Sequence, residues 1–223
     1  MKMFMDHYPD LKCMWPTKAI DSQEGRTVKS WFKNDKGEEV KIYEADAQQL
    51  PFKASAFDGI FSWATLEHVL APELALEEIH RVLRLGGYGL IAPAWNCRPW
   101  TVKKLEDRPY NELSLSERFG KFLIPLRELL VIRAFIALPK RLWGEILLFT
   151  GGKQPLRYQT LSPRWDLIKK YGHVSDDDAV SGIDPHAAIV FFKSRGYDIV
   201  SHPTMKSRLM ATHQDLIVRK SDT

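Results

Sequence analysis

Apolar and polar positions follow a regular order between residues 41 and 95. Lys41–Ala45 reads as a short strand, and Phe57–Trp63 (Phe-Asp-Gly-Ile-Phe-Ser-Trp) as a second, buried one. Leu74, Leu76, Ile79, Val82 and Leu83 then recur at roughly helical spacing, which predicts an amphipathic helix over Pro72–Leu83. Glu73, Glu77 and Glu78 come early and Arg81 and Arg84 late, the order of charge that suits a helix dipole. Gly86-Gly87 predicts a tight turn ending the helix, and Tyr88–Ala92 a third strand. Strand, helix, strand with so short a connection is the grammar of a parallel α/β sheet. The regular pattern returns near the end: a helix over Pro185–Ser194, Gly196 as its cap, and a closing antiparallel pair, Tyr197–His202 with Asp215–Arg219.

The remaining stretches differ. Residues 1–40 are polar and irregular, punctuated by Pro9, Pro16 and Gly25, with a turn expected over Lys33–Gly37. Residues 96–180, rich in Pro, Trp, Arg and Leu, read as a helical insertion or lid within one domain spanning 1–223. Pro125 and Pro139 are expected to break that insertion into short helices.

Composition narrows this picture. With 223 residues, 44% hydrophobic and 27% charged, the chain can bury a core, which excludes disordered, collagen-like and coiled-coil classes. Two cysteines, Cys13 and Cys97, give no disulfide framework and no metal-ligand spacing, in keeping with a reducing, cytoplasmic setting. The stretch Met1–Tyr8 has no apolar run of the signal-peptide kind, and no stretch is apolar enough for a membrane span.

The net charge of +4 is unevenly placed. Residues 118–157 carry eight basic side chains against Glu128 and Glu145, so this segment is +6 and the rest is −2. The segment is also very apolar and contains Trp143. It fits a lid over an apolar substrate, a peripheral contact with a membrane surface, or a homo-oligomer interface. Nucleic acid is not an expected partner, because the apolar content is too high.

The chemistry sits in three runs. They are Glu44-Ala-Asp-Ala-Gln-Gln-Leu-Pro-Phe52, Phe57-Asp-Gly-Ile-Phe-Ser-Trp-Ala-Thr-Leu-Glu-His-Val69, and Glu78-Ile-His-Arg-Val-Leu-Arg-Leu-Gly-Gly87. In order and at these spacings they resemble the class I S-adenosylmethionine-dependent methyltransferases, in particular the type 11 methyltransferase family. The resemblance covers residues 40–95 well and 181–219 loosely; the insertion is outside it.

The resemblance implies an α/β, Rossmann-like methyltransferase sheet, mostly parallel and ending in an antiparallel hairpin. It also implies S-adenosylmethionine as cofactor and no metal. Asp46 matches the acid that meets the adenine amino group, with Ala47 beside it. Ser62 and Trp63 match the loop beside the sulfonium and the acceptor, and Asp21 matches the acid that holds the ribose hydroxyls. His68 is the candidate general base, with His173 of the insertion as another, and Trp95 and Asn96 are expected to line the acceptor side. Ser175-Asp-Asp-Asp178 has the look of a metal cluster, but Ser175 as an N-cap with acids in a first helical turn accounts for it. Cys97 reads as a small packing residue.

The sequence departs from the family at its front. No glycine precedes Asp21, so the glycine-rich loop after strand 1 is absent and the strand 1 region is shortened. Either an upstream strand is missing, or Met1–Asp6 serves as a compressed strand 1, or a partner chain supplies one. Leu85, where the family usually has proline, is a minor departure. The leading expectation is methyl transfer to an O, N or C nucleophile of a small, apolar or lipid-like molecule. The alternative is a catalytically inactive, methyltransferase-like binding or assembly subunit.

Overall fold

The computed structural model describes residues 45–173, 176–212 and 214–221, with the backbone alone at Leu130, and the backbone of two short strands. These are β1 (Phe32–Lys33) and β2 (Glu39–Val40), paired antiparallel. Asp21, Met1–Asp6, the Lys33–Gly37 turn beyond Lys33, the expected strand Lys41–Ala45 up to Glu44, and Ser175 lie outside the described residues.

β3 (Phe57–Trp63) and β4 (Leu83–Ala92) run parallel, joined through α1 (Pro72–Val82), as the periodicity predicts. Ala75, Leu76, Ile79 and Val82 form the buried face of α1, and Pro72 opens it where a missing N–H costs nothing. The Gly86-Gly87 pair does not end the helix. Leu83 already has extended backbone and pairs with Phe57, so β4 starts four residues before Gly87 and passes through Gly86 at φ +76°. At Gly87 a Cβ would meet the Asp58 carbonyl at 2.9 Å, so that glycine serves close strand approach.

β7 (Tyr197–Ile199) and β8 (Leu216–Lys220) close the chain after helix α6 (Pro185–Lys193) and Gly196 at φ +80°. The sheet order is β3-β4-β8-β7, with β8 antiparallel to both neighbours. Among the described residues this sheet is mixed, with one parallel and two antiparallel pairings, and it ends in the expected antiparallel hairpin. β3 has one paired neighbour there, β4. It is half-covered rather than buried: Phe61 and Trp63 are exposed and stack at 6.1 Å.

The insertion contains α2 (Pro99–Val102), α3 (Leu115–Glu128), α4 (Leu130–Phe149), β5 (Tyr158–Thr160), α5 (Trp165–Tyr171) and β6 (Ser181–Ile183). Neither proline breaks it. Pro125 lies within α3 and Pro139 within the 20-residue α4. Both are exposed, so water can take up the carbonyl that each leaves without a donor. The chain turns instead at Leu129, which has extended backbone (ψ 129°).

The main core joins α1 (Leu76, Ile79), β4 (Ile91), α6 (Ile189, Phe191, Phe192) and β8 (Val218). The insertion is bolted to it by a buried ionic group. Arg208, in α7 (Met205–Leu209), donates from Nε and Nη2 to Glu145 of α4 at 2.9 and 2.6 Å, and His186 Nε2 lies 3.2 Å from the same carboxylate. A Cβ at Gly144 would come within 2.9 Å of the His186 ring, so a glycine is required for α4 to lie this close to α6.

Candidate active site

The loop after the strand expected over Lys41–Ala45 is fixed by α1. Glu78 accepts the Leu50 amide at 2.7 Å and pairs with Arg81, whose guanidinium donates to the carbonyls of Leu50 and Phe52 at 2.9 and 2.7 Å. The Arg81 guanidinium beside Glu78 holds its carboxyl below the usual range. Part of the Glu78–Arg81 motif thus has a structural purpose: it seats the Leu-Pro-Phe segment. At the head of that loop Asp46 is exposed, and its Oδ1 accepts the Gln48 amide at 2.9 Å. Ala47 packs on the main core. An exposed carboxylate held in this way can accept from an exocyclic amine or a hydroxyl, so the residue present fits an adenosyl group.

β3 ends at Ser62, which is buried, and Trp63, which is 57% exposed. Ala64 follows at φ +45°, donating to the Ala92 carbonyl at 2.9 Å, and turns the chain into a 3-10 turn at Leu66–His68. This turn is where the insertion docks: Ser181 Oγ donates to the Leu66 carbonyl, 115 residues away, and the Val180 amide donates to the Glu67 carbonyl.

The docking assembles titratable groups. His68 Nδ1 lies 3.8 Å from Asp178 Oδ2, and His173 Nε2 lies 3.6 Å from the same oxygen. Both candidate bases therefore flank one carboxylate. Asp177 is fully buried and pairs with Lys104 Nζ at 2.9 Å; that lysine, itself buried, also reaches Asp107 at 2.8 Å. His173, Asp177 and Asp178 offer ligand atoms within 4.8 Å of one another. Asp176–Asp178 form a turn rather than the expected first helical turn, with Asp176 at φ +70°.

Glu67, between Leu66 and His68, is a further titratable group of this turn. It is buried beside His68, and burial pushes its carboxyl up, against the opposing pull of the backbone amides of Glu67 and Ala94. Its Oε2 has no hydrogen-bond partner among the described residues. Cys97 is buried, and burial pushes its thiol up to about 12, in keeping with a packing residue rather than a nucleophile.

The two residues expected on the acceptor side part company. Trp95 is buried in the main core and donates its indole N–H to the Gln214 carbonyl at 3.1 Å. Asn96, at φ +59°, lines a cavity of about 1240 Å³ between α4, α6 and the β4–α2 loop. Arg98, Ala137, Gly144, Tyr158 and His186 also line it. Asp46, Ala47, Ser62, Trp63 and His68 do not.

Residues 16–91 match a family described as a methyltransferase domain. That segment is similar to the methyltransferase domain family. It covers about a third of the chain and ends inside β4. A rice protein, 2-methyl-6-phytyl-1,4-hydroquinone methyltransferase 2, chloroplastic, is 44% identical over 48 residues, or 22% of this chain and 14% of that protein. A solved SAM-dependent methyltransferase from Thermotoga maritima is 27% identical, covering 37% of this chain and 43% of that one, at a TM-score of 0.27. The YcgJ protein of a Bacillus is 17% identical, covering 84% and 74% of the two chains, at a TM-score of 0.33.

Proposed function

We propose that the chain transfers a methyl group from S-adenosylmethionine to a nucleophile of a small, apolar acceptor. The observation that carries this reading is that the matched segment holds Asp46 exposed and fixed at the head of its loop. That segment also ends β3 on Ser62 and Trp63 beside a turn bearing His68. Bound S-adenosylmethionine would supply an already activated methyl group, so the protein has to align the partners and exclude water. Asp46 accepts hydrogen bonds from the adenosyl group, Ala47 adds backbone contact, and Trp63 covers the acceptor side. His68, with Asp178 beside it, takes the proton of an acceptor that must lose one. An apolar acceptor is supported by the exposed Phe61–Trp63 stack and by a relative named for a phytyl hydroquinone.

Calorimetry with S-adenosylmethionine or S-adenosylhomocysteine tests the reading. Binding is expected, weakened about tenfold in Asp46→Ala, as the loss of a charge-assisted hydrogen bond implies. No heat at millimolar ligand would refute it. One observation favours a second reading, a methyltransferase-like binding subunit without catalysis: the large cavity lies apart from Asp46, Ser62, Trp63 and His68. In that case ligands bind at Asn96 and His186, and Asp46→Ala leaves their affinity unchanged.

A further inference from the structure

The hairpin of α3 and α4 turns its apolar faces to solvent. On α3, Leu115, Phe119, Phe122 and Leu126 follow at steps of four and three residues, and all are exposed; Ile124 is the buried residue of the helix. On α4, Val131, Phe135, Leu138, Leu142, Ile146 and Phe149 repeat the same spacing, again exposed, with Phe135 at 79% and Phe149 at 86%. Each set is one continuous stripe of a helix, and such stripes are ordinarily buried. An uncovered apolar surface of this extent marks a contact site.

Charge decides what covers it. The segment from Arg118 to Arg157 carries +6 on a body of −2. Its two acids are already engaged: Glu145 is buried against Arg208, and Glu128 lies within 4 Å of Arg98 and Arg133. Arg118, Arg127, Lys140, Lys153 and Arg157 are exposed. A second copy of the chain would bring like charge against like charge, whereas an anionic surface complements it. Trp143, half exposed on the same helix, is of a residue type that settles at a membrane interface. Among the described residues no helix is long and apolar enough to cross a membrane, so the fitting mode is to lie on one.

We propose that the α3–α4 hairpin docks the protein on an anionic phospholipid surface, inserting its apolar stripes among the lipids and setting its basic residues against the headgroups. This does not depend on methyl transfer.

The test is flotation of the whole chain with phosphatidylcholine vesicles, with and without phosphatidylglycerol, at low and high salt. Wild type is expected to float with the anionic vesicles and to be released by salt. The pair Arg118→Glu and Lys140→Glu, both exposed on the hairpin, should lower vesicle affinity by about fivefold or more per residue. The pair Phe122→Ser and Phe149→Ser should abolish flotation while circular dichroism stays unchanged, since both side chains are exposed. Wild type that does not float with anionic vesicles overturns the proposal. So does a solution dimer that Phe135→Ser dissolves while vesicles fail to compete with it, because the stripes would then be covered by a second copy.

Discussion

Helices α1 and α3 are both amphipathic, yet they point their apolar faces in opposite senses. On α1 the face of Ala75, Leu76, Ile79 and Val82 is buried against the sheet and α6. On α3 the corresponding stripe looks outward, and Ile124 alone is buried. Periodicity states that a helix has an apolar face; it does not state what covers that face. α1 is covered because β3 and β4, its neighbours in the chain, form a sheet beneath it. α3 is attached to the body by Ile124, packed with Leu105 and Leu113, and by polar links such as Arg108 to Glu117 and Lys121 to the Arg108 carbonyl, and these leave its apolar stripe free.

The comparison can be broken at the bolt that holds the insertion down. Glu145→Ala strands Arg208 and removes the partner of His186; unfolding in urea should show a loss of about 3–5 kcal/mol. If the loss were near zero, the insertion would not depend on this ionic group for its seating. Leu76→Ala on the covered face of α1 should cost about 2–5 kcal/mol in the same measurement, as expected for a side chain with no exposure in a close-packed core.

A smaller and pH-dependent effect comes from the buried imidazoles. Burial pushes His80, His186 and His202 below their ordinary value of 6.5. The unfolded chain takes up a proton at each near that value, and the folded chain only at lower pH, so the unfolded state binds more protons in between. Stability is therefore lost as pH falls from about 7 toward 5. Glu145, held below the carboxylate range by Arg208 and His186 despite its burial, adds a loss of the same sign at still lower pH. Thermal melts across this interval should slope downward toward acid, and more gently in His186→Asn. The smallest effect is expected on the uncovered face: Phe135→Ala should change unfolding stability by no more than about 0.5 kcal/mol. A large loss there would mean that the stripe is packed after all.

Much of the site's frame was legible in the sequence, and little of its assembly was. β3 has the bounds read from Phe57–Trp63, and α1 and α6 end within one residue of theirs, because periodicity and terminal Pro and Gly act locally. The prolines misled at α3 and α4, since an exposed carbonyl without its donor is met by water. Trp63 ends β3 and Trp95 follows β4, but one is exposed and the other is core; sequence type alone does not separate them. The burial of Glu67 was not legible in its neighbours, and the segment that docks on its turn, Val180 and Ser181, arrives from the far side of the insertion.

The sequence by itself determined β3, α1, α6 and the closing hairpin, the family that residues 16–91 resemble, the surplus of positive charge in residues 118–157, and which residues could bear chemistry. Each of these depends on neighbours within a turn or a strand, or on composition. The tertiary structure alone decided that His68 and His173 share Asp178, that Glu145 closes on Arg208 and His186, and that the apolar stripes of α3 and α4 face outward. Those outcomes depend on which surfaces meet across long stretches of chain, where closing the loop is repaid only by the whole set of contacts at once.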